Sequence, residues 1–127
     1  MKQVIEMLIK IKNALAVRKS TVGVPYSNFK YNIVALLAKE GFVEDVKKKG
    51  RIKKRLVIGL KYQEKKPGIR GLKIISKPGR RVYFKSKELY VPKTGQGILI
   101  VSTPKGILTG RKARKMKLGG EVICEIW

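Results

Sequence analysis

Several residue types are scarce in this 127-residue chain, and each shortage excludes a class of protein. Histidine is absent and cysteine occurs once, so neither a disulfide framework nor the usual Cys/His zinc set can form. A Ser–His or Cys–His nucleophile pair is impossible for the same reason. The apolar runs are short, as at 98–101, and the first residues lack the apolar block of a signal peptide. We therefore predict no cofactor, no metal site and no membrane partner.

Acidic residues are also scarce, with 8 Asp and Glu against 31 Lys and Arg and a formal net charge of +23. Residues 1–62 carry 15 basic and 4 acidic side chains (net +11), and residues 63–127 carry 16 and 4 (net +12), which excludes a basic tail on a neutral domain. Such a charge density repels itself and is usually held against a polyanion. Because the hydrophobic share of 43% is that of a globular chain, we expect a folded, soluble, intracellular polyanion binder.

The first half of the chain reads as helix, strand, helix, strand, strand. Apolar residues recur at helical spacing over 2–16, which predicts an amphipathic helix. A short strand is predicted at 21–25, and Ser27 is the predicted N-cap of a second helix that ends before Gly41.

Two antiparallel strands are then predicted at 42–46 and 55–60. The basic run 47–55 joins them, and it reads either as a hairpin tip in solvent or as a tip that adds phosphate attraction. A Gly- and Pro-containing linker at 63–71 suggests a boundary. We predict an N-terminal α+β subdomain over 1–66 and a C-terminal β-rich subdomain over 67–127.

The second half is predicted to be mostly β with one short helix. Strands are expected at 72–76, 81–85, 98–101 and 122–126, and the helix at 110–118. The predicted class is α+β, with the helices mostly in the first half and the strands mostly in the second.

Residues 102–121 carry the chemistry that points to a polyanion. A hydroxyl-rich loop at 102–109 leads into a cationic helix, with Thr109 as its predicted N-cap and Gly119-Gly120 as a left-handed cap and close backbone approach. Hydroxyls, exposed N–H groups and a helix N-terminus suit phosphate and ribose oxygens. An ordinary solvated loop and helix is the alternative. In that helix Ala113 and Met116 are expected to face the core.

A second candidate lies at the start of the strand over 81–85. Arg80 and Arg81 follow a Pro-Gly turn, and Arg81 shares a strand face with Tyr83. Tyr83 either stacks on an unpaired base or is a tyrosine at the core edge with a hydrated hydroxyl. The residues leave both readings open.

Catalytic residues are not predicted anywhere in the chain. Cys124 shares a strand face with apolar residues and is expected to be a buried hydrophobe. Glu44 and Asp45 are the only adjacent acids, and neighbours on a strand point to opposite faces. A DNA-architectural protein is the rival binding class, but it would need a minor-groove arm or an apolar wedge, and neither is visible.

At this point the residues resemble a known family. The signature at 102–109, with Arg114 and the segment 119–124, is similar to that of the bacterial small-subunit ribosomal protein eight family. The resemblance extends over the whole chain, including 9–14, 40–43 and 76–79 with Tyr83. Pro104 and Gly110 depart from the pattern, since many members have a serine and an acidic residue there.

The resemblance implies two small α+β subdomains packed as layers, with the C-terminal one binding RNA. It also implies a structural, primary RNA-binding protein of the small subunit, in the cytoplasm. It would organise the central domain of the ribosomal RNA, beside neighbouring small-subunit proteins. Similar proteins in many bacteria also repress their own operon through a messenger RNA site. The predicted RNA-binding residues are Ser102, Thr103, Pro104, Lys105, Gly106, Thr109, Arg111, Arg114, Gly120, Glu121, Tyr83, Arg81, Arg80 and Lys30.

Overall fold

The structure is a computed structural model that describes residues 2–90, 92 and 97–127. Two units divide the chain: one is Glu6–Arg70, and the other is Gly71–Trp127 together with residues 2–5. The division falls inside the predicted linker at 63–71. The assignment of subdomains to 1–66 and 67–127 stays a prediction.

The first unit has the predicted order α-β-α-β-β. Its elements are α1 (Lys2–Ala16, which begins just before the unit), β1 (Thr21–Pro25), α2 (Asn28–Lys39), β2 (Asp45–Lys49) and β3 (Arg55–Gly59). The three strands form an antiparallel sheet in the order β1-β3-β2. Ser27 caps α2 as predicted, because its hydroxyl accepts a hydrogen bond from the Lys30 amide at 3.2 Å.

One face of this sheet is apolar and the other is polar. On β3, Leu56 and Ile58 are fully buried, whereas Arg55 is exposed. The register places Arg55 and Val57 on the same face as Gly23 of β1. The core of the unit therefore lies on the Leu56 face, and the Arg55 face is directed away from it.

The predicted linker contains a small hairpin. Strands β4 (Tyr62–Gln63) and β5 (Lys66–Pro67) pair antiparallel. Glu64 and Lys65 turn the chain with φ of 52° and 68°, values that usually recruit glycine or asparagine. The sequence does not predict this turn, because neither glutamate nor lysine is typical of a left-handed backbone conformation.

The second unit is the predicted β-rich half with one short α-helix. Its elements are β6 (Leu72–Ile74), β7 (Tyr83–Phe84), a 3₁₀ turn (Ser86–Glu88), β8 (Ile98–Thr103), β9 (Gly106–Thr109), α3 (Gly110–Lys115) and β10 (Gly120–Ile126). The sheet order is β6-β10-β8-β9, and β7 also pairs with β10. The observed elements confirm the α+β class.

The core of this unit lies under α3. Alternate residues of β8, Leu99 and Val101, are buried with Val122 of β10 and Ala113 of α3. The prediction for Ala113 is confirmed, but that for Met116 is wrong. Helix α3 ends at Lys115, so Met116 lies beyond it and is 45% exposed.

Three other local predictions need correction. Strand β2 begins at Asp45 rather than 42, although Phe42 and Val43 are buried. Strand β7 covers only Tyr83–Phe84. The left-handed residue after α3 is Lys117, with φ of 59°, and not a glycine. Within the described ranges, no helix combines the length and apolar character needed to cross a bilayer.

Candidate nucleic-acid interface

Strand β10 brings three predicted site residues into one row across the sheet. Glu121 is paired with Tyr83 of β7 on one side and with Ser102 of β8 on the other. Directly paired residues of antiparallel strands point to the same face. Tyr83, Glu121 and Ser102 therefore share one face, and we call them the polar row. Because Val101 and Val122 are buried under α3, the polar row lies on the opposite face.

The polar row presents an exposed ring and an available hydroxyl. Tyr83 is 67% exposed, which excludes the core-edge reading of this tyrosine. Ser102 is half-buried, and none of the hydrogen bonds among the described residues uses its hydroxyl. The Tyr83 ring and the Ser102 hydroxyl lie on either side of Glu121, and both are available to a ligand.

The third member, Glu121, is neutralised by an arginine. The Nη1 atom of Arg81 donates to both carboxylate oxygens of Glu121, at 3.1 and 3.0 Å. The Glu121 side chain is 11% exposed and that of Arg81 is 44% exposed. The partner of Glu121 is thus an arginine that lies 40 residues earlier in the chain. Since the pair cancels locally, Glu121 does not repel an approaching phosphate as a lone carboxylate would.

Ser76 holds this arrangement together, and sequence reasoning did not single it out as a functional residue. It is completely buried, its Oγ accepts from the Val82 amide at 3.0 Å, and it donates to the Val122 carbonyl at 2.7 Å. Val82 precedes Tyr83, and Val122 follows Glu121. The Ser76 hydroxyl therefore links β7 to β10 at the polar row. In the sequence Ser76 is visible only as the polar last residue of the predicted strand 72–76 and as the first residue of the matching segment 76–79.

Gly120 permits the close approach that was predicted for Gly119-Gly120. A Cβ at Gly120 would lie 2.1 Å from the Ser102 carbonyl oxygen, and one at Gly119 would lie 2.5 Å from that of Phe84. Neither glycine has a positive φ. The two glycines therefore allow neighbouring backbone segments to approach closely, and they do not form a left-handed cap.

The predicted hydroxyl-rich loop is a tight hairpin of β8 and β9. Only Pro104 and Lys105 lie between the paired residues Thr103 and Gly106. The Thr103 hydroxyl accepts from the Lys105 amide at 3.1 Å and donates to the Gly106 carbonyl at 2.8 Å. It stabilises the turn, whereas Ser102 keeps its hydroxyl available. Proline at 104 suits such a turn because its φ is already fixed.

Helix α3 continues directly from β9 and carries two of the predicted cations. Thr109 caps it as predicted, accepting from the Lys112 amide at 3.2 Å. Arg111 is exposed with no ion-pair partner among the described residues, whereas Arg114 donates to the Leu89 carbonyl at 3.0 Å. Arg111 is thus available for a phosphate, and Arg114 also braces the chain.

The departure at Gly110 has a steric reason. This residue is buried, and a Cβ there would lie 3.0 Å from Cβ of Leu99 in the core of the unit. A side chain here would require Leu99 or the start of α3 to move by a few tenths of an ångström. Glycine at this position therefore lets α3 begin directly over β8.

The remaining two predicted residues differ sharply in exposure. Arg80 is exposed at the turn that its backbone closes with Lys77. Lys30 is 3% exposed within the first unit, and burial lowers its pKa against the opposing attraction of Glu6. A side chain so covered offers little surface to a phosphate, so Lys30 is the predicted contact with the least structural support.

No catalytic group emerges among the described residues. Cys124 is fully buried, and burial raises the pKa of its thiol to about 12, so it is protonated at neutral pH. No group of three or more Cys, Asp or Glu side chains in this part of the chain could hold a metal ion. What the surface offers is an exposed ring, an open hydroxyl and unpaired cations. These groups can stack on a base, bond to a sugar or phosphate oxygen, and attract a polyanion.

Fold and surface together define an α+β protein with a polyanion-binding chemistry, and the comparisons with known proteins narrow this class. The sequence profile of the family described as Ribosomal protein S8 matches residues 2–127. A relative from Persephonella marina, named small ribosomal subunit protein uS8, is 47% identical, covering 96% of this chain and 95% of its own. Proteins of the same name are 46% identical in Nitratidesulfovibrio vulgaris and 48% identical in Mycoplasma capricolum, each covering 96% of this chain and, respectively, 94% and 95% of the relative.

The chain belongs to the ribosomal protein S8 family. This confirms the resemblance carried by the segment 102–124. The family is a structural ribosomal component and not an enzyme, in agreement with the prediction from the missing histidine.

Proposed function

We propose that this protein is a structural constituent of the small ribosomal subunit, in the cytoplasm, and that it binds the central domain of small-subunit ribosomal RNA. The relatives named above are small-subunit proteins, which supports the location. The observation that carries the RNA contact is the polar row. It places an exposed ring beside an unpaired hydroxyl on a face with its acidic residue already neutralised.

The proposal assigns a distinct role to the exposed members of the polar row and to the residues around it. Tyr83 stacks on an unpaired base, which is worth roughly 1–3 kcal/mol. The Ser102 hydroxyl bonds to a sugar or phosphate oxygen, and Gly120 lets β10 approach β8 closely enough to hold Ser102 in the polar row. Arg80 supplies attraction to phosphates, and Arg111 does so from α3, on the other side of the sheet; both contributions weaken with salt. Neighbouring small-subunit proteins are the expected protein partners.

Affinity for a central-domain RNA fragment, measured against duplex DNA of equal length, tests the proposal. We expect the RNA to bind more tightly, because single-stranded bases are accessible only in the RNA. Equal affinity would refute the ribosomal reading and favour the DNA-architectural rival. Footprinting of the RNA with the bound protein would locate the contact.

Ser102→Ala tests the polar row directly. Loss of one hydrogen bond should weaken RNA binding by about 0.5–1.5 kcal/mol, or roughly two- to tenfold. Ser20→Ala is the matched control, because Ser20 is exposed and lies in the first unit. Tyr83→Leu should lose more affinity and Tyr83→Phe should retain it, since stacking needs only the ring. Affinities that are unchanged in Ser102→Ala and Tyr83→Leu would exclude the polar row as the contact.

Binding to operon messenger RNA is the finer part of the proposal. It needs no second surface, because an RNA with the same accessible bases would bind the same row. Competition between the operon leader and the ribosomal fragment tests this. A leader that binds without displacing the ribosomal fragment would contradict a shared site.

A further inference from the structure

A second cationic site lies in the first unit, on the Arg55 face of its sheet. A cavity of about 500 Å³ opens between α1 and β1. Its polar and charged lining is formed by Lys10, Asn13, Lys19, Thr21 and Arg55, around the backbone of Gly23. No carboxylate lines it, so every charged group of the cavity is positive.

Two of these cations converge on Gly23. The Lys10 ammonium donates to the Gly23 carbonyl at 2.9 Å. The Arg55 guanidinium covers the same residue, since a Cβ on Gly23 would lie 3.3 Å from its Nη2 atom. Gly23 does not have a positive φ, so its backbone conformation does not require glycine, and the Arg55 guanidinium occupies the space beside it.

The three cations of the cavity form no ion pair with another described residue. Among the described residues the only ion pair is Arg81–Glu121, in the other unit. Lys10, Lys19 and Arg55 therefore have no described carboxylate within ion-pair distance, and an anion in the cavity would meet positive groups from both α1 and the sheet.

We propose that this cavity binds a phosphate group. The planar fork of Arg55 matches phosphate oxygens, and the ammonium of Lys19 adds a second donor. The amide of Asn13 and the hydroxyl of Thr21 are placed to hold further oxygens or an attached sugar. The volume lies in the range of ligand pockets, about 300–1,000 Å³, so there is room for more than one phosphate. The phosphate comes either from an RNA backbone or from a free nucleotide-like anion.

The proposal is separate from the polar row, so either can fail alone. The test uses the full ¹⁵N-labelled chain and follows amide chemical shifts as inorganic pyrophosphate is added. The titration is done at about 150 mM salt, where exposed charges attract only within about 8 Å. We expect saturable shifts centred on Gly23, Thr21 and Asn13. Shifts that spread over the surface without saturation would overturn the proposal.

Charge-matched variants separate the cavity from the general positive charge. Arg55→Gln should weaken pyrophosphate binding by about tenfold or more, as expected for lost charge-assisted hydrogen bonds. Lys53→Gln removes the same charge from an exposed position outside the cavity and should change the affinity less than about twofold. Equal effects of the two variants would overturn the proposal. Lys19→Gln gives an independent reading if Arg55→Gln fails to fold.

A single-stranded RNA oligonucleotide distinguishes the two sources of phosphate. Shifts at Gly23 with RNA but not with pyrophosphate would assign the cavity to an RNA backbone. Saturable shifts with pyrophosphate would show that a free anion suffices. Shifts at Ser102 alone would leave the polar row intact and refute the cavity, and no shift at Gly23 with either probe would do the same.

Discussion

At the residue scale, the polar row depends on groups that never touch a ligand. Tyr83 and Ser102 flank Glu121 only because β7 and β8 pair with β10 at this position. Ser76 holds β7 from inside the core, and Gly120 leaves room for the Ser102 carbonyl. The exposed residues supply the chemistry, while a buried hydroxyl and a missing side chain supply the geometry.

Ser76→Ala should destabilise the protein. The change leaves the Val82 amide and the Val122 carbonyl without the Ser76 hydroxyl, which should lower the free energy of unfolding by about 1–3 kcal/mol. Urea denaturation measures this directly. Ser102→Ala is the control, because it removes a hydroxyl that bonds to no described residue and should stay within about 0.5 kcal/mol of the parent. Equal stability of the two variants would mean that Ser76 does not hold the strands.

Gly120→Ala should be harmful for a steric reason. The added methyl would meet the Ser102 carbonyl at 2.1 Å, so β8 and β10 would have to separate, at a cost of about 1–3 kcal/mol of overpacking. Gly79→Ala is the matched control, since nothing lies within 4 Å of a Cβ there. Thermal unfolding and RNA affinity are the measurements. If Gly120→Ala behaves like Gly79→Ala, the close approach is not required.

At the scale of elements, helical periodicity and N-cap residues correctly predicted those features that depend on local chemistry. Helix α1 and the two N-caps, Ser27 and Thr109, are confirmed because a stripe of apolar residues or a hydroxyl before a helix acts locally. The turns were harder. The hairpin at Pro104-Lys105 was taken as a loop, and the one at Glu64-Lys65 as a linker, because neither has the Asn-Gly signal of a two-residue hairpin.

The polar row was predicted residue by residue but not as a geometry. Its members were assigned by resemblance, and the residues alone could not place Tyr83 beside Glu121, because strand register follows from long-range pairing. The bridge from Arg81 to Glu121 joins positions 40 residues apart. The role of Ser76 needed the same long-range information. Such relations lie beyond any local pattern.

Thr109→Ala should weaken α3. The variant loses the hydroxyl that accepts from the Lys112 amide, and N-cap losses cost about 0.5–2 kcal/mol. Thr109→Ser keeps the acceptor and should restore most of this stability. Chemical denaturation of the three proteins makes the comparison. If serine and alanine are equally destabilising, the buried methyl of Thr109 and not its hydroxyl supports the helix.

At the scale of the whole molecule, the dominant property is uncompensated positive charge. The formal net charge is +23, and the described residues contain a single ion pair. Both halves of the sequence carry this excess, so it opposes compaction throughout. The chain therefore folds although its surface charges repel one another, and a bound polyanion would reduce this repulsion.

Salt should therefore act in opposite directions on folding and on RNA binding. Raising KCl from about 50 to 500 mM shortens the screening length from roughly 14 to 4 Å and weakens the repulsion among lysines and arginines, so the melting temperature of the free protein should rise. RNA affinity should fall over the same range, because releasing the counterions of the contacted phosphates into a more concentrated salt solution gains less entropy. Arg111→Gln should reduce the salt slope of binding by about one if Arg111 contacts a phosphate. A melting temperature that falls with salt would mean that attractive pairs outweigh repulsion, which a surface with so few acids cannot provide.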